Sequence, residues 1–305
     1  MLNINKKHTN IIPCINADKP INKFERLSWL VTNYLNNNIL PNKSNLDIRQ
    51  FIPTELEDNW SNVNLCSSPS RVLSDLFWMQ LDWKSIENEI DRINILDTGC
   101  GDGEYFLKLN EFSNEILNTY CGIDIEKKDK WKSFKQEYSN VDFKEINSND
   151  ILNIIPKESN FFISQSAIEH FEEDLIYFQH LKNFISHTSN DVIQVHLFPA
   201  ASCITQYIWH GIRQYTPRSV SQITKLFEET NSYSVLYKLG GNLSNQVHKE
   251  FITKPVYLKG MDYRVTKEDQ YKNKLKHAIT NDKNGKDPSF YALIIHSNYK
   301  NKIFQ

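Results

Sequence analysis

Seven apolar runs of strand length recur from residue 93 to the end of the chain: "INILDTG", "TYCGIDI", "VDFKEI", "FFISQS", "DVIQVHLF", "YSVLYKL" and "FYALIIHS". Stretches with helical spacing separate most of them. In "EEDLIYFQHLKNFI" the residues Leu175, Phe178, Leu181 and Ile185 fall on one face, and in "TPRSVSQITKLFEE" Val220, Ile223, Leu226 and Phe227 do the same. The second of these opens with Thr216 placed as N-cap and Pro217 at the first helical position. Upstream, "SSPSRVLSDLFWMQLDW" starts with a Ser/Pro signal and lines up Val72, Leu73, Leu76 and Phe77. Alternation of strand and helix predicts an α/β fold, a three-layer αβα sandwich around a mostly parallel seven-stranded sheet.

Residues 1–66 read differently. They are polar, punctuated by Pro13, Pro20, Pro41 and Pro53, and carry one helical pattern in "FERLSWLVTNYL". That is too little apolar material for a core, so they are expected to be an N-terminal helical extension to a main domain at 67–305. The last two strands are separated by a Lys-, Asn- and Tyr-rich segment, 240–287, too long for a plain connection and expected to be an insertion or lid.

Composition narrows the setting. With 305 residues and 40% hydrophobic content, the chain holds one large domain plus an extension. A net charge of -2 gives no electrostatic reason to expect nucleic acid or an anionic membrane as partner. The five cysteines are scattered and never paired as CxxC, which argues against a disulfide framework and a zinc ribbon and fits a reducing compartment. No signal-like N-terminus and no long apolar run is present, so a soluble cytoplasmic protein is the expectation, with oligomeric state left open.

The candidate chemistry begins at "INILDTGCGDGEY", where Gly99, Gly101 and Gly103 alternate between a strand and a helix. Such turns let backbone approach nucleotide-like ligands. A triphosphate loop needs GxxxxGK[ST], which is missing, and the dinucleotide fingerprint needs a small residue where Glu104 stands. Asp97, Asp102 and Glu104 crowd a helix start that would otherwise attract a pyrophosphate. Carboxylates there suit a ligand bearing a sulfonium and an ammonium, which points to S-adenosylmethionine.

The turn also resembles the first motif of the class I S-adenosylmethionine-dependent methyltransferases, and the resemblance continues in order along the chain. "YCGIDI" ends the second strand with Asp124, where the family places an acid on the ribose hydroxyls. "NSNDIL" puts Asp150 where the family contacts the adenine amino group. "NFFISQSAIEHF" resembles the fourth-strand motif beneath the transferable methyl. The match covers roughly residues 70–240 and departs at Asn160, often an acid in the family, at the far end of that strand. It implies strand order 3-2-1-4-5-7-6. It also implies cofactor contacts from Asp97, Gly99, Cys100, Gly101, Asp124, Ile125, Asp150, Ile151, Ser164 and Gln165. Asp124 and Asp150 equally suit helix capping.

Methyl transfer from a sulfonium needs alignment and, for a hydroxyl acceptor, a base. His170, after the fourth strand, is the first candidate, since some small-molecule members of the family use a histidine there. His196 is the second, sharing a strand face with Gln194. A satisfied packing role is the competing reading for both. Trp209, His210, Arg213 and Tyr215 in "YIWHGIRQYTP" suit acceptor recognition by stacking and by a guanidinium fork on phosphate or carboxylate. A helix with buried aromatics fits the same segment. Glu169, His170 and His196 could group around a metal, but Ser166 stands where another carboxylate is wanted, so no metal is expected there. The expectation is a methyltransferase for a small polar acceptor, a hydroxyl of a sugar or glycan precursor. A protein or tRNA acceptor, or an inactive binding subunit of the same fold, are the alternatives.

Overall fold

A computed structural model describes residues 22–304 apart from 40, 43, 45, 147, 172, 204–205, 207–212 and 284, with 148 and 149 described by backbone only. The N-terminal part carries α1 (Lys23–Asn38), β1 (Asp47–Gln50) and the short α2 (Leu56–Asn59). Then follow α3 (Pro69–Met79), α4 (Trp83–Ile90), β2 (Ile93–Thr98), α5 (Tyr105–Phe112), β3 (Leu117–Asp124), α6 (Lys130–Glu137) and β4 (Val141–Glu145). The second half contains β5 (Phe161–Gln165), α7 (Asp174–Ile185), β6 (Val192–Pro199), α8 (Pro217–Lys225), β7 (Tyr233–Leu239) and, at the end, β8 (Phe290–Ser297).

These strands form one sheet in the order β1-β7-β8-β6-β5-β2-β3-β4, parallel throughout except where β8 pairs with β6 and β7. Read from β4, the seven expected strands stand in the expected order 3-2-1-4-5-7-6. The sheet has eight strands, not seven, because β1 adds outside β7 in parallel register, Asp47 opposite Val235 through Gln50 opposite Lys238. The N-terminal extension is therefore built into the sheet.

Two apolar layers sandwich it. One packs Ile93, Ile95, Phe161, Ile163, Val195 and Ile294 against α3, α4, α5 and α6; the other packs Leu96, Phe162, Phe198, Leu293 and Ile295 against α7 and α8. Neighbouring strand residues go to opposite layers, the period-two consequence of the pleat. The Thr216 hydroxyl accepts from the Ser219 amide at 3.4 Å and Pro217 opens α8, as the sequence predicts. No helix among the described residues is long and apolar enough to cross a membrane.

Segment 240–287, the expected insertion or lid between the last two strands, is mostly helical. It forms α9 (Asn242–His248), α10 (Lys254–Lys259), α11 (Tyr263–Thr266) and α12 (Glu268–Asn281), with a π turn at Lys249–Thr253. Val247, Phe251, Tyr271, Leu275, Ala278 and Ile279 are buried in the first core layer. Asp282 caps the start of α9, its carboxylate accepting from the amides of Leu243 and Ser244 at 3.0 and 2.7 Å. This burial seats α9, the π turn and α12 in the core, while Val256, Tyr257, Leu258 and Val265 between them are exposed. The amides of 271–279 are accordingly expected to exchange slowly in the ligand-free protein; exchange within seconds in a native-state deuterium experiment would contradict it.

Helix α1 inverts the usual amphipathic rule. Trp29 is buried together with Thr32, Asn33, Asn36 and Asn37, while Phe24, Leu27, Val31 and Tyr34 are exposed. Hydrogen bonds explain the polar face. Asn33 Oδ1 accepts from the Gln214 amide at 3.1 Å, Asn37 Nδ2 donates to Gln214 O at 2.8 Å, and Ser219 Oγ donates to Asn37 Oδ1 at 2.9 Å.

Candidate functional site

The carboxyl ends of β2, β3 and β5 converge on the glycine turn. The amides of Gly99 and Cys100 both donate to Ile123 O, at 2.8 and 3.1 Å, which pins the turn to the end of β3. Gly99, Gly101 and Gly103 have φ of +77°, +54° and +84°, the left-handed region open to glycine. A Cβ at Gly99 would lie 2.3 Å from Ala167 Cβ, so the segments that follow β2 and β5 approach too closely there for any side chain. A Cβ at Gly101 would meet nothing within 4 Å. The backbone is therefore bare and open where a ligand would come in.

Two acids line this opening. Asp124, half-buried at the end of β3, accepts from the Gly101 amide at 2.9 Å and the Glu126 amide at 3.3 Å. Asp97 is buried in β2; Tyr120 Oη donates to its Oδ2 at 2.6 Å, and its Oδ1 has no hydrogen-bond partner among the described residues. Burial first, and the charge of Asp124 after it, push the Asp97 carboxyl up to about 7 against the pull of Tyr120. The neighbouring Asp102 and Glu104 are half-exposed and shared by Lys130, a surface arrangement that contributes little. A buried carboxylate with one oxygen unpaired, beneath an open glycine turn, fits a cationic ligand better than a phosphate.

The Asp97 shift fixes a pH dependence. A raised folded-state pKa contributes stability fully present below the unfolded value of about 3.8 and lost as pH rises to about 7. Asp97→Asn mimics the protonated acid and keeps an acceptor for Tyr120. Its melting temperature is expected to exceed that of the wild type above pH 7, with the gap closing toward pH 4. A constant gap across that range would mean that Asp97 is not the group responsible.

The remaining cofactor candidates fall at different depths. Ile125 is exposed beside Asp124, and Asp150 is exposed in a 3-10 turn, Ser148–Asn153. Cys100 is buried within the turn. Ile151 is fully buried in the second core layer, leaving only its backbone for a ligand. Gln165 is buried at the end of β5; its Oε1 accepts from Trp78 Nε1 at 2.9 Å and its Nε2 has no partner among the described residues. Asn160 sits at the opposite end of β5, its Oδ1 accepting from the Asn94 amide at 2.9 Å, far from this cleft.

His170 closes the 3-10 turn Ile168–His170 that follows β5, half-buried, three residues beyond the Ala167 that packs on Gly99. Its turn is set by Ser166, a non-glycine residue at φ +55°. Strain of this kind concentrates where a local conformation serves a site. His196 does not belong to the cleft. It is fully buried, its Nδ1 lies 2.8 Å from the equally buried Ser164 Oγ, and it packs edge-on to Tyr177 and Phe178. Burial lowers its pKa to about 3, so it is a neutral core histidine. Ser164 goes with it.

The acceptor segment is corrected in part. Trp209 and His210 lie outside the described residues. Arg213 and Tyr215 are buried, and both serve Asp174 at the start of α7: Arg213 pairs with its Oδ1 at 2.5 Å and Tyr215 Oη donates to its Oδ2 at 2.8 Å. The Arg213 amide donates to Glu169 O at 3.2 Å and Tyr215 Oη to Ile168 O at 3.4 Å. A buried guanidinium must be paired, and Asp174 is a charge partner of Arg213 here. The network instead holds the turn bearing His170. Arg213→Ala is expected to cost about 3–5 kcal/mol of stability, because it strips a buried carboxylate of its charge partner. Unchanged denaturant unfolding with weakened acceptor binding would restore the substrate role.

A cavity of about 480 Å³ opens elsewhere, at the amino end of β7 beside β1, lined by Asp47, Arg49, Tyr233 and Lys302 among others. The strand order and the glycine turn decide the architecture. The chain has the class I methyltransferase fold. No family model matches it, and no curated protein matches it. Solved structures share the fold at low identity. The plantazolicin methyltransferase BamL, in complex with a triazolic desmethylPZN analog and SAH, is 13% identical over 80% of this chain and 89% of its own, at a TM-score of 0.48. A putative sarcosine dimethylglycine methyltransferase from Galdieria sulphuraria is 13% identical over 79% and 96%, at 0.46. A SAM-dependent methyltransferase from Archaeoglobus fulgidus is 17% identical over 79% and 98%, at 0.44. Sequence reasoning passed over Tyr120 and Asp174, and read Ser166 only as the place of a missing carboxylate. Only the strained turn after β5 had a local signal, a polar residue between a strand and "AIEH".

Proposed function

We propose that the chain is an S-adenosylmethionine-dependent methyltransferase acting on a small polar acceptor. The observation that carries this is Asp97, a buried carboxylate with an unpaired oxygen under an open glycine turn, next to Asp124. Bound there, S-adenosylmethionine supplies a methyl group on a positively charged sulfur. Asp124 has lone pairs left for two ribose hydroxyls, Ile125 offers an exposed apolar face to adenine, and Asp150 an acceptor to its amino group. Asp97 faces the positive charge, and Gln165 presents an unsatisfied amide donor.

The acceptor in this reading is a hydroxyl of a sugar or glycan precursor. His170 is the side chain that would take its proton as the methyl arrives. Support comes from its place at the end of β5 and from the acidic, not basic, surface of the turn, which disfavours a nucleic-acid acceptor. The test has two stages. Titration calorimetry with S-adenosylmethionine and with NADH decides the cofactor, and binding of NADH alone would end the proposal. A mass-spectrometric screen of phosphorylated and nucleotide sugars for a methyl mass shift then decides the acceptor. Cofactor binding without any such product would leave the fold assignment and remove the sugar.

A further inference from the structure

A second cluster lies at the opposite end of the sheet from the glycine turn. Asp191 immediately precedes β6, His296 lies near the end of the antiparallel β8, and Glu89 is in the last turn of α4, just before β2. All three are more than nine-tenths buried: Glu89 at 5% exposure, Asp191 at 4%, His296 at 0%. One ligand atom from each falls within 4.8 Å of the others. Two buried ligand-capable atoms of these residues have no hydrogen-bond partner among the described residues, Asp191 Oδ1 and His296 Nε2. The Nε2 lies 3.9 Å from Glu89 Oε1, too far for a hydrogen bond.

Unmade bonds of this sort are costly, because a buried carboxylate oxygen and a buried ring nitrogen each forfeit their hydration. The surrounding groups prepare the cluster for a cation. The Glu89 carboxylate accepts from the amides of Lys300 and Asn301 at 2.8 and 2.6 Å and from the Asn301 side chain at 2.9 Å. His296 is fully buried on β8. Its Nδ1 stands 3.1 Å from Tyr233 Oη, and a proton on Nδ1 turned to that oxygen frees the Nε2 lone pair. Lys300 pairs with Asp191 Oδ2 but is largely exposed, a movable partner on the outside of the cluster.

We propose that Glu89, Asp191 and His296 bind a divalent metal ion, best matched by zinc, that staples α4, β6 and β8 together. One imidazole and two carboxylates are a zinc ligand set, with bond lengths of about 2.0–2.2 Å that draw the three side chains slightly inward. With water as its fourth ligand, the ion would hold these elements together at the end of the sheet away from the glycine turn.

The test uses the full chain stripped with EDTA and dialysed. Titration with zinc chloride, read by elemental analysis after gel filtration, is expected to give one ion per chain and a higher melting temperature. Cobalt chloride should give visible absorption typical of a low-symmetry nitrogen/oxygen site. Asp191→Asn and His296→Gln are each expected to weaken binding at least about a hundredfold, more than the 10- to 100-fold usual for loss of an outer-sphere partner. Should these core variants misfold, Lys300→Met decides instead. It alters only an exposed ammonium that competes for Asp191, and it should tighten zinc binding several-fold. Absence of a stoichiometric ion at millimolar zinc, or an affinity indifferent to Lys300→Met and to Asp191→Asn, overturns the proposal.

Discussion

Replacing His170 by alanine is expected to lower turnover about a hundred- to ten-thousandfold while S-adenosylmethionine affinity stays within a few-fold. The reasoning follows from acid–base chemistry. A sugar hydroxyl does not ionise at neutral pH, so its proton must leave as the methyl arrives. An imidazole can accept that proton and pass it on. His170 occupies the end of β5, half-exposed, in a turn held by Ser166 and by the Arg213–Asp174–Tyr215 network. His196 is in the core and offers no alternative base. Loss of the true base should also remove the acidic limb of the pH–rate profile. Near-normal turnover in the variant, in an assay with working wild type, would mean a proximity mechanism for an amine or carboxylate acceptor.

Asp124→Ala is expected to weaken S-adenosylmethionine binding about ten- to a hundredfold, the equivalent of charge-assisted hydrogen bonds worth roughly 1.5–3 kcal/mol. Part of that loss is indirect, since Asp124 also accepts from the Gly101 amide and so helps to shape the turn. Asp124→Asn separates the two contributions. It keeps an acceptor for Gly101 while losing the charge, so it should fall between wild type and alanine. Calorimetry showing unchanged affinity in the alanine variant would remove this residue from the cofactor site.

Much of this architecture is written locally. The central strands β2, β5 and β8 send successive apolar residues to the two layers in turn, and Thr216 with Pro217 starts α8 through bonds within a few residues. The glycine turn is legible for the same reason. Left-handed φ at Gly99, Gly101 and Gly103 is a property of the residues themselves, and the acid at the end of each flanking strand follows from spacing.

What failed to show in the sequence depends on partners distant along the chain. The fate of Arg213 was decided by Asp174, and a guanidinium that looked free for a substrate is paired with a buried carboxylate. His196 lies on a strand face that happens to meet Tyr177 and Phe178 on α7, so burial made it neutral and inert. Segment 240–287 reads as polar overall, yet a few apolar residues on α12 suffice to seat it in the core. Helix α1 is the sharpest case, since Phe24, Leu27 and Val31 are exposed and its asparagines are among the buried residues. A polar side chain is buried only where a specific distant backbone satisfies it, and no local pattern encodes that partner. The sequence by itself determined the strands, the turn chemistry and the order of motifs, all properties of neighbours along the chain. Tertiary structure alone decided the eighth strand, the pairing of Arg213 and the convergence of Glu89, Asp191 and His296, because each depends on long-range placement and on which charges must be neutralised out of water.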